Sequence, residues 1–229
     1  MAIVKKYPAK VKSIHNPIDG VFTVEFETLD KPFKYSPGQF MHLALDEYDP
    51  AGQWPDSRCF SMQSSPDGEL IKITYAVKGQ FTTRMQQELK RDSEVTLKLP
   101  YGDLFSQPHN KTNTIFIAGG TGITPFLSLF KHPSFAEYSN PVLYAGFRNQ
   151  TMNVYGVELG IAQKINPNFK FISVYQDIDG LLDINKIFNP ADKQSAFFIS
   201  GPPIMIKTFK QVLIGNGVPE NQILTDDWA

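Results

Sequence analysis

Apolar and polar positions alternate with period two in the first part of the chain: residues 21–27 read VFTVEFE and residues 70–76 read LIKITYA. Such alternation predicts strands with one face buried. Residues 40–45, 58–62 and 95–99 supply further short candidates, separated by Pro, Gly and Asp. Several short strands at this spacing predict a closed antiparallel β-barrel rather than a βαβ layer. One helical interruption is predicted over residues 82–90, where Met85 and Leu89 share a face at i, i+4.

The pattern changes after Phe105. Residues 106–113, SQPHNKTN, are polar and turn-forming and read as a linker. Four apolar runs follow, at 114–118, 142–146, 169–175 and 196–199. Near-continuous apolar strands belong in a sheet covered on both faces, and their separations leave room for crossover helices. The expected architecture is an N-terminal antiparallel β-barrel over residues 1–107 followed by a parallel α/β domain over 108–229. Thr124 reads as the cap of a helix with Pro125 at its first position, kept short by Pro133. A last helix is predicted from about Pro203 to Leu213, with Gly215 or Gly217 as its stop.

Composition narrows the classes. The 229 residues are 41% hydrophobic and 20% charged, in the globular range. The formal net charge of −1 offers no basic excess for a nucleic-acid partner. The apolar runs are too short to span a bilayer, and residues 1–12 contain no apolar h-region, so neither a membrane span nor a signal peptide is expected. Cys59 is the single cysteine, which excludes an internal disulfide and an iron–sulfur cluster held by several cysteines of this chain. His15, His42, His109 and His132 lack metal-ligand spacing, and no metal site is expected. These features predict a soluble, cytoplasmic protein.

Two strings carry the candidate chemistry. Residues 58–66 read RCFSMQSSP, and Arg58, Phe60 and Ser61 bring a cation, an aromatic ring and a hydroxyl together. A flavin nucleotide needs all three: a two-pronged donor for phosphate, an aromatic neighbour for the isoalloxazine plate, and a small donor near N5. An ordinary barrel strand with an exposed Arg and a buried Phe fits the same residues. Residues 78–83, KGQFTT, place a glycine and two hydroxyls at the start of the predicted Thr82 helix, where free N–H groups favour an anion. An ordinary turn with a Thr cap fits equally.

The second string is IAGGTGITP at 117–125, a glycine-rich turn from strand to helix. Glycines let the backbone approach a pyrophosphate, and the helix N-terminus faces it. The spacing is GGTG rather than GxGxxG, and many α/β proteins contain such a turn. SGPPIM at 200–205 also follows an apolar strand and opens a helix. Arg148, at the end of the run 142–146, is placed to meet an adenosine ribose or its phosphate, or simply solvent. No second cation follows it, which tilts the nucleotide toward NADH over NADPH.

The ordered set resembles the ferredoxin–NADP reductase superfamily. RCFSMQSSP resembles its RxYS flavin signature and GGTGITP its pyridine-nucleotide loop, while SPGQF (36–40), LPYGDLF (99–105) and SGPPIM keep the family's order and spacing. The resemblance implies a flavin-binding barrel and an NAD(P)-binding α/β domain, with nicotinamide and isoalloxazine stacked between them. It implies FAD, with FMN as the alternative, and NADH or NADPH. Arg58 would bind the flavin phosphate, Phe60 would pack on the flavin, and Ser61 would sit near N5. Met62, Gln63 and Ser64 would line the isoalloxazine through their backbone, and Gly79, Phe81 and Thr82 would hold the phosphate side. Gly120, Thr121 and Gly122 would cradle the dinucleotide, with Gly201, Pro202 and Met205 flanking the nicotinamide.

Three positions depart from the family pattern. Phe60 replaces the signature tyrosine and so lacks its hydroxyl, and Ser200 stands where many relatives carry cysteine. The acid-x-aromatic tail appears as Asp226-Asp227-Trp228, with Asp226 and Trp228 in the acid and aromatic places. Ser61, Ser200 and Asp226 are the residues implied in the reaction. The implied activity is that of an NAD(P)H-dependent flavoprotein reductase passing electrons to a separate protein or small-molecule acceptor. The alternatives are the flavin-bearing subunit of a multi-chain redox complex and a nucleotide- or flavin-binding regulatory module without turnover.

Overall fold

The computed structural model describes residues 3–226. Two compact units divide between Asp103 and Leu104. The first contains β1 (Lys5–Ile18), β2 (Val21–Thr28), β3 (Phe40–Ala44), β4 (Ser57–Ser61), β5 (Ile71–Ala76), helix α1 (Gln80–Glu88) and β6 (Glu94–Tyr101). Its six strands form one antiparallel sheet in the order β4-β3-β6-β1-β2-β5. The edge strands meet without a ladder: just past β4, Gln63 N–H donates to Lys72 O on β5 at 2.7 Å. The buried core gathers the inward positions of every strand, among them Tyr7, Val24, Met41, Ile73 and Leu97, and α1 adds Phe81 and Met85.

β1 is the strand that pattern reading passes over. Its inward positions are Tyr7, Ala9 and Val11, all buried, but lysines and Pro8 fill the outward ones. Lys and Pro are poor strand formers, and they mask the period-two signal. The helix predicted over 82–90 begins earlier, at Gln80, with Gly79 as its cap. Thr82 lies inside the first turn, and its Oγ1 accepts the Lys78 and Gly79 N–H groups at 2.9 and 3.1 Å. The hydroxyl therefore ties the chain down ahead of the helix instead of capping it from outside.

The second unit contains β7 (Asn113–Gly119), α2 (Thr124–Phe130), β8 (Asn140–Phe147), α3 (Gly156–Ile165), β9 (Lys170–Tyr175), the short helices α4 (Gln176–Asp179) and α5 (Ile184–Ile187), β10 (Ala196–Ser200), α6 (Pro203–Gly215) and β11 (Ile223–Thr225). All five strands are parallel, in the order β11-β10-β7-β8-β9. Alternate residues of β7 serve opposite faces: Phe116 and Ala118 join an aromatic core with Phe126, Phe130 and Phe198, while Ile115 and Ile117 join Ile206, Phe209 and Leu213. Both faces are covered at β7 and β10, which is why these two strands read as continuous apolar runs, whereas the edge strand β9 leaves Phe171 and Ile172 exposed. β11, three residues long, gives no periodic signal of its own.

Two expectations shift here. Thr124 is the first residue of α2, preceded by a 3₁₀ turn over Gly120–Ile123, and its hydroxyl donates back to Thr121 O at 2.9 Å instead of capping. The units divide ahead of the expected 107/108 boundary because Leu104 is buried and Phe105 packs its ring 5.0 Å from that of Phe198. The polar linker begins only after these two residues have joined the second core.

Candidate functional site

In the first unit the signature strand β4 meets the start of α1. The Arg58 guanidinium lies over the Phe81 ring, 5.4 Å from its centroid, and so stands beside the helix N-terminus. Asp56 holds it through an Nη1–Oδ1 contact of 2.8 Å, and the Ser57 carbonyl accepts from the same nitrogen at 2.8 Å. Asp56 escapes sequence reading because a lone acid two residues before an Arg has no distinctive spacing. The first-turn N–H groups of a helix lack intrahelical partners. Together with an exposed guanidinium they could hold an anion, the Arg58 side chain being braced both by Asp56 and by the α1 residue Phe81. Open space surrounds the place a Cβ would take on Gly79, so the backbone there is approachable.

The remaining flavin-side residues divide by burial. Phe60 is half-buried and meets Tyr75 edge-on at 6.1 Å. Ser61 is only 4% exposed and ends β4 opposite Phe40. Met62 and Gln63 are buried, and their N–H groups are already committed, to Gln39 O at 3.0 Å and Lys72 O at 2.7 Å. As N–H donors these two are thus unavailable to a flavin. Ser64 Oγ accepts the Lys72 N–H at 3.0 Å and lies 2.9 Å from the Tyr35 hydroxyl, which clamps the loop. The Phe81 ring belongs to the core, leaving its backbone as the part that can face a phosphate.

In the second unit the two glycine-containing turns lie side by side. β7 is flanked by β8 and β9 on one side and by β10 and β11 on the other. The order reverses between β7 and β10, and such a switch point is where open α/β sheets bind ligands, beyond the carboxyl ends of the strands. GGTG follows β7 and SGPP follows β10, and Ala118 pairs with Ser200 in the ladder. The turns touch through their backbones: a Cβ on Gly122 would sit 2.5 Å from the Ser200 carbonyl oxygen. Gly122 is therefore required by packing. Gly120 differs, having φ +56° and nothing within 4 Å of a Cβ position, so it is the open, ligand-approachable glycine of the loop.

Ser200 and Asp226, 26 positions apart, are brought together: the serine Oγ donates to Asp226 Oδ2 at 3.1 Å. The Asp226 N–H donates to Ile199 O at 3.0 Å, which fixes the acid beside β10. With its proton turned to the carboxylate, Ser200 Oγ is left as an acceptor. Met205 is half-buried and packs on the α6 side of the sheet, whereas Pro202 and Gly201 form the turn itself. Arg148 is exposed with no side-chain partner among the described residues, and its carbonyl accepts the Asp177 N–H at 3.2 Å. Trp228 lies outside the described residues.

The model of a FAD-binding domain matches residues 4–134, and that of an oxidoreductase NAD-binding domain matches residues 116–211. The chain belongs to the FAD-binding family of the ferredoxin–NADP reductase superfamily, and its cofactors are FAD and a nicotinamide dinucleotide. It is 29% identical over 178 residues to the NAD(P)H-flavin reductase of Vibrio harveyi, covering 73% of this chain and 71% of that protein. It is 26% identical over 214 residues to the reductase component of propane 2-monooxygenase from Mycolicibacterium smegmatis (strain ATCC 700084 / mc(2)155), covering 86% of this chain and 60% of that protein. A ferredoxin NADP+ reductase from Neisseria gonorrhoeae with bound FAD and NADP shares the fold, with TM-score 0.80 at 18% identity over 97% of this chain and 98% of that one. The chain spans 51% to 60% of the length of several of the curated relatives it matches. Among the described residues no helix is long and apolar enough to cross a membrane.

Proposed function

We propose that the protein is an NAD(P)H-dependent flavin oxidoreductase that passes electrons to a separate acceptor. The observation that carries this reading is the presence, in one chain, of two distinct phosphate-binding constructions: Arg58 at the head of α1, and the open Gly120 at the β7–β10 switch point. A regulatory module needs only one ligand. When bound, FAD supplies the acceptor for two electrons and a hydrogen from NAD(P)H, which leaves as NAD(P)+.

The chain's own residues bind and orient. Arg58 and the α1 N-terminus hold the flavin phosphate, Phe60 flanks the isoalloxazine, and Ser61 directs a hydroxyl at N5. Gly120 and Thr121 face the dinucleotide pyrophosphate while Gly122 locks their loop against Ser200. Ser200, oriented by Asp226, accepts a hydrogen bond at the nicotinamide end, and Arg148 meets the adenosine end. Asp177, whose N–H bonds the Arg148 carbonyl, adds negative charge to this end of the sheet, which favours NADH over a nucleotide carrying a 2′-phosphate.

A second reading, the flavin-bearing part of a larger redox assembly, draws support from exposed apolar side chains on and just after the edge strand β9: Phe171, Ile172, Ile178 and Leu181. Both readings require the same half-reaction, and anaerobic reduction of the flavin-loaded protein by NADH tests it. Size analysis of the native protein from its own cells separates them: a stable complex favours the assembly, and a lone chain favours the free reductase.

A further inference from the structure

The motif SPGQF takes no part in either phosphate-binding loop, yet its Gln39 fastens three segments around Ser61. The Gln39 backbone carbonyl accepts the Met62 N–H at 3.0 Å, just past Ser61. The side-chain Nε2 donates to Gly102 O at 2.8 Å, across 63 positions of sequence, and Oε1 accepts the Ser36 N–H at 2.7 Å. Both ends of the amide are used.

A ladder irregularity explains why a side chain is needed here. β3 pairs with β6 through Phe40–Tyr101 and His42–Lys98, so two steps on β3 oppose three on β6. The extra residue is a bulge next to Pro100, which has no N–H to donate. The regular β3–β6 ladder is thus interrupted beside Phe40, the residue that pairs with Ser61 at the end of β4, and the Gln39 amide ties the Gly102 backbone back to β3. The Phe40 ring braces the same point: a Cβ on Gly102 would lie 3.1 Å from Phe40 Cδ1. Phe40 is also the ladder partner of Ser61. A shift of Gln39 therefore moves the strand end that carries the Ser61 hydroxyl.

We propose that Gln39 is a positioning residue for hydride transfer, holding Ser61 at the place from which its hydroxyl meets the flavin. The proposal rests on the flavin-reductase reading and adds to it a residue outside both phosphate-binding loops, one that acts through its bonds to the Met62, Gly102 and Ser36 backbone. Misplacement of a reacting group by a fraction of its contact distance slows a reaction without abolishing binding.

The test is a double-mutant cycle on the FAD-loaded protein, read by rapid-mixing reduction with NADH. Gln39→Met keeps the length and removes both side-chain hydrogen bonds. It should bind FAD at full stoichiometry and slow flavin reduction on the order of ten-fold. Combined with Ser61→Ala, it should add little beyond the slowing that Ser61→Ala causes alone. If Gln39→Met fails to fold, Gln39→Glu keeps the acceptor for Ser36 and loses the donor to Gly102, with the same expectations. Wild-type reduction rates, loss of FAD instead of slowed reduction, or effects of the two substitutions that multiply independently would each overturn the assignment. Absence of reduction in the wild-type holoprotein by either nucleotide would instead overturn the reductase reading itself.

Discussion

Arg58 contacts Asp56 on one side and the face of Phe81 on the other, which places its guanidinium beside the α1 N-terminus. Charge-assisted contacts of this kind are worth about 1.5–3 kcal/mol. Arg58→Ala should accordingly weaken FAD binding roughly ten- to a hundred-fold while the fold survives, which equilibrium titration of apoprotein with FAD measures. Full-strength binding would remove Arg58 from the site. Ser61→Ala should instead leave FAD in place and slow its reduction by NADH about 10²-fold, by analogy with other positioned donors. Rapid-mixing measurement of bound flavin is decisive, since steady-state rates also report the acceptor. Tyr35, which clamps Ser64, predicts a pH effect: burial pushes its phenol up from 10.0 to about 12. The native state then holds a proton that the unfolded chain releases, so this contribution to stability is intact below pH 10 and lost as pH rises through about 12. Thermal midpoints across that range should fall less steeply for Tyr35→Phe than for wild type.

At the scale of elements, the turn after β7 gives contrasting predictions for two of its glycines, two positions apart. Gly122→Ala places a Cβ against the Ser200 backbone, where nothing flexible can yield, and should destabilise the second unit as a whole. Gly120→Val faces open space and should cost about 1–2 kcal/mol of backbone strain at φ +56°, leaving a folded, flavin-loaded protein that dithionite bleaches and NADH does not. Normal bleaching by NADH would mean that Gly120 does not face the nucleotide. Much at this scale was legible in the sequence, because each motif sits where a strand pattern ends. Period two marked β2 and β5, and unbroken apolar runs marked β7, β8 and β10. β1 was hidden by its outward lysines and proline, and β11 by its length. The roles of Thr82 and Thr124 could not be read because a threonine near a helix start has the same signature whether it caps or bonds backward. Nor could sequence show that Gly122 serves packing and Gly120 approach, since both are simply glycines of one loop.

At the scale of the whole molecule, the proposed function has one chain collect both cofactors and carry reducing equivalents from the nicotinamide to the flavin. The order of its motifs was enough to indicate that pairing, whereas the bond between Ser200 and Asp226 and the fastening by Gln39 needed the fold, because each joins residues far apart in sequence. The half-reaction with nucleotide needs only the two cofactor sites proposed for this chain, so it can be measured without an acceptor. The most direct measurement is an anaerobic titration of the purified, FAD-loaded protein with NADH, followed at the flavin absorption band. Complete bleaching is expected at one equivalent of NADH per flavin, with NADPH acting more slowly. A flavin that dithionite reduces but that neither nucleotide bleaches would contradict the proposed function.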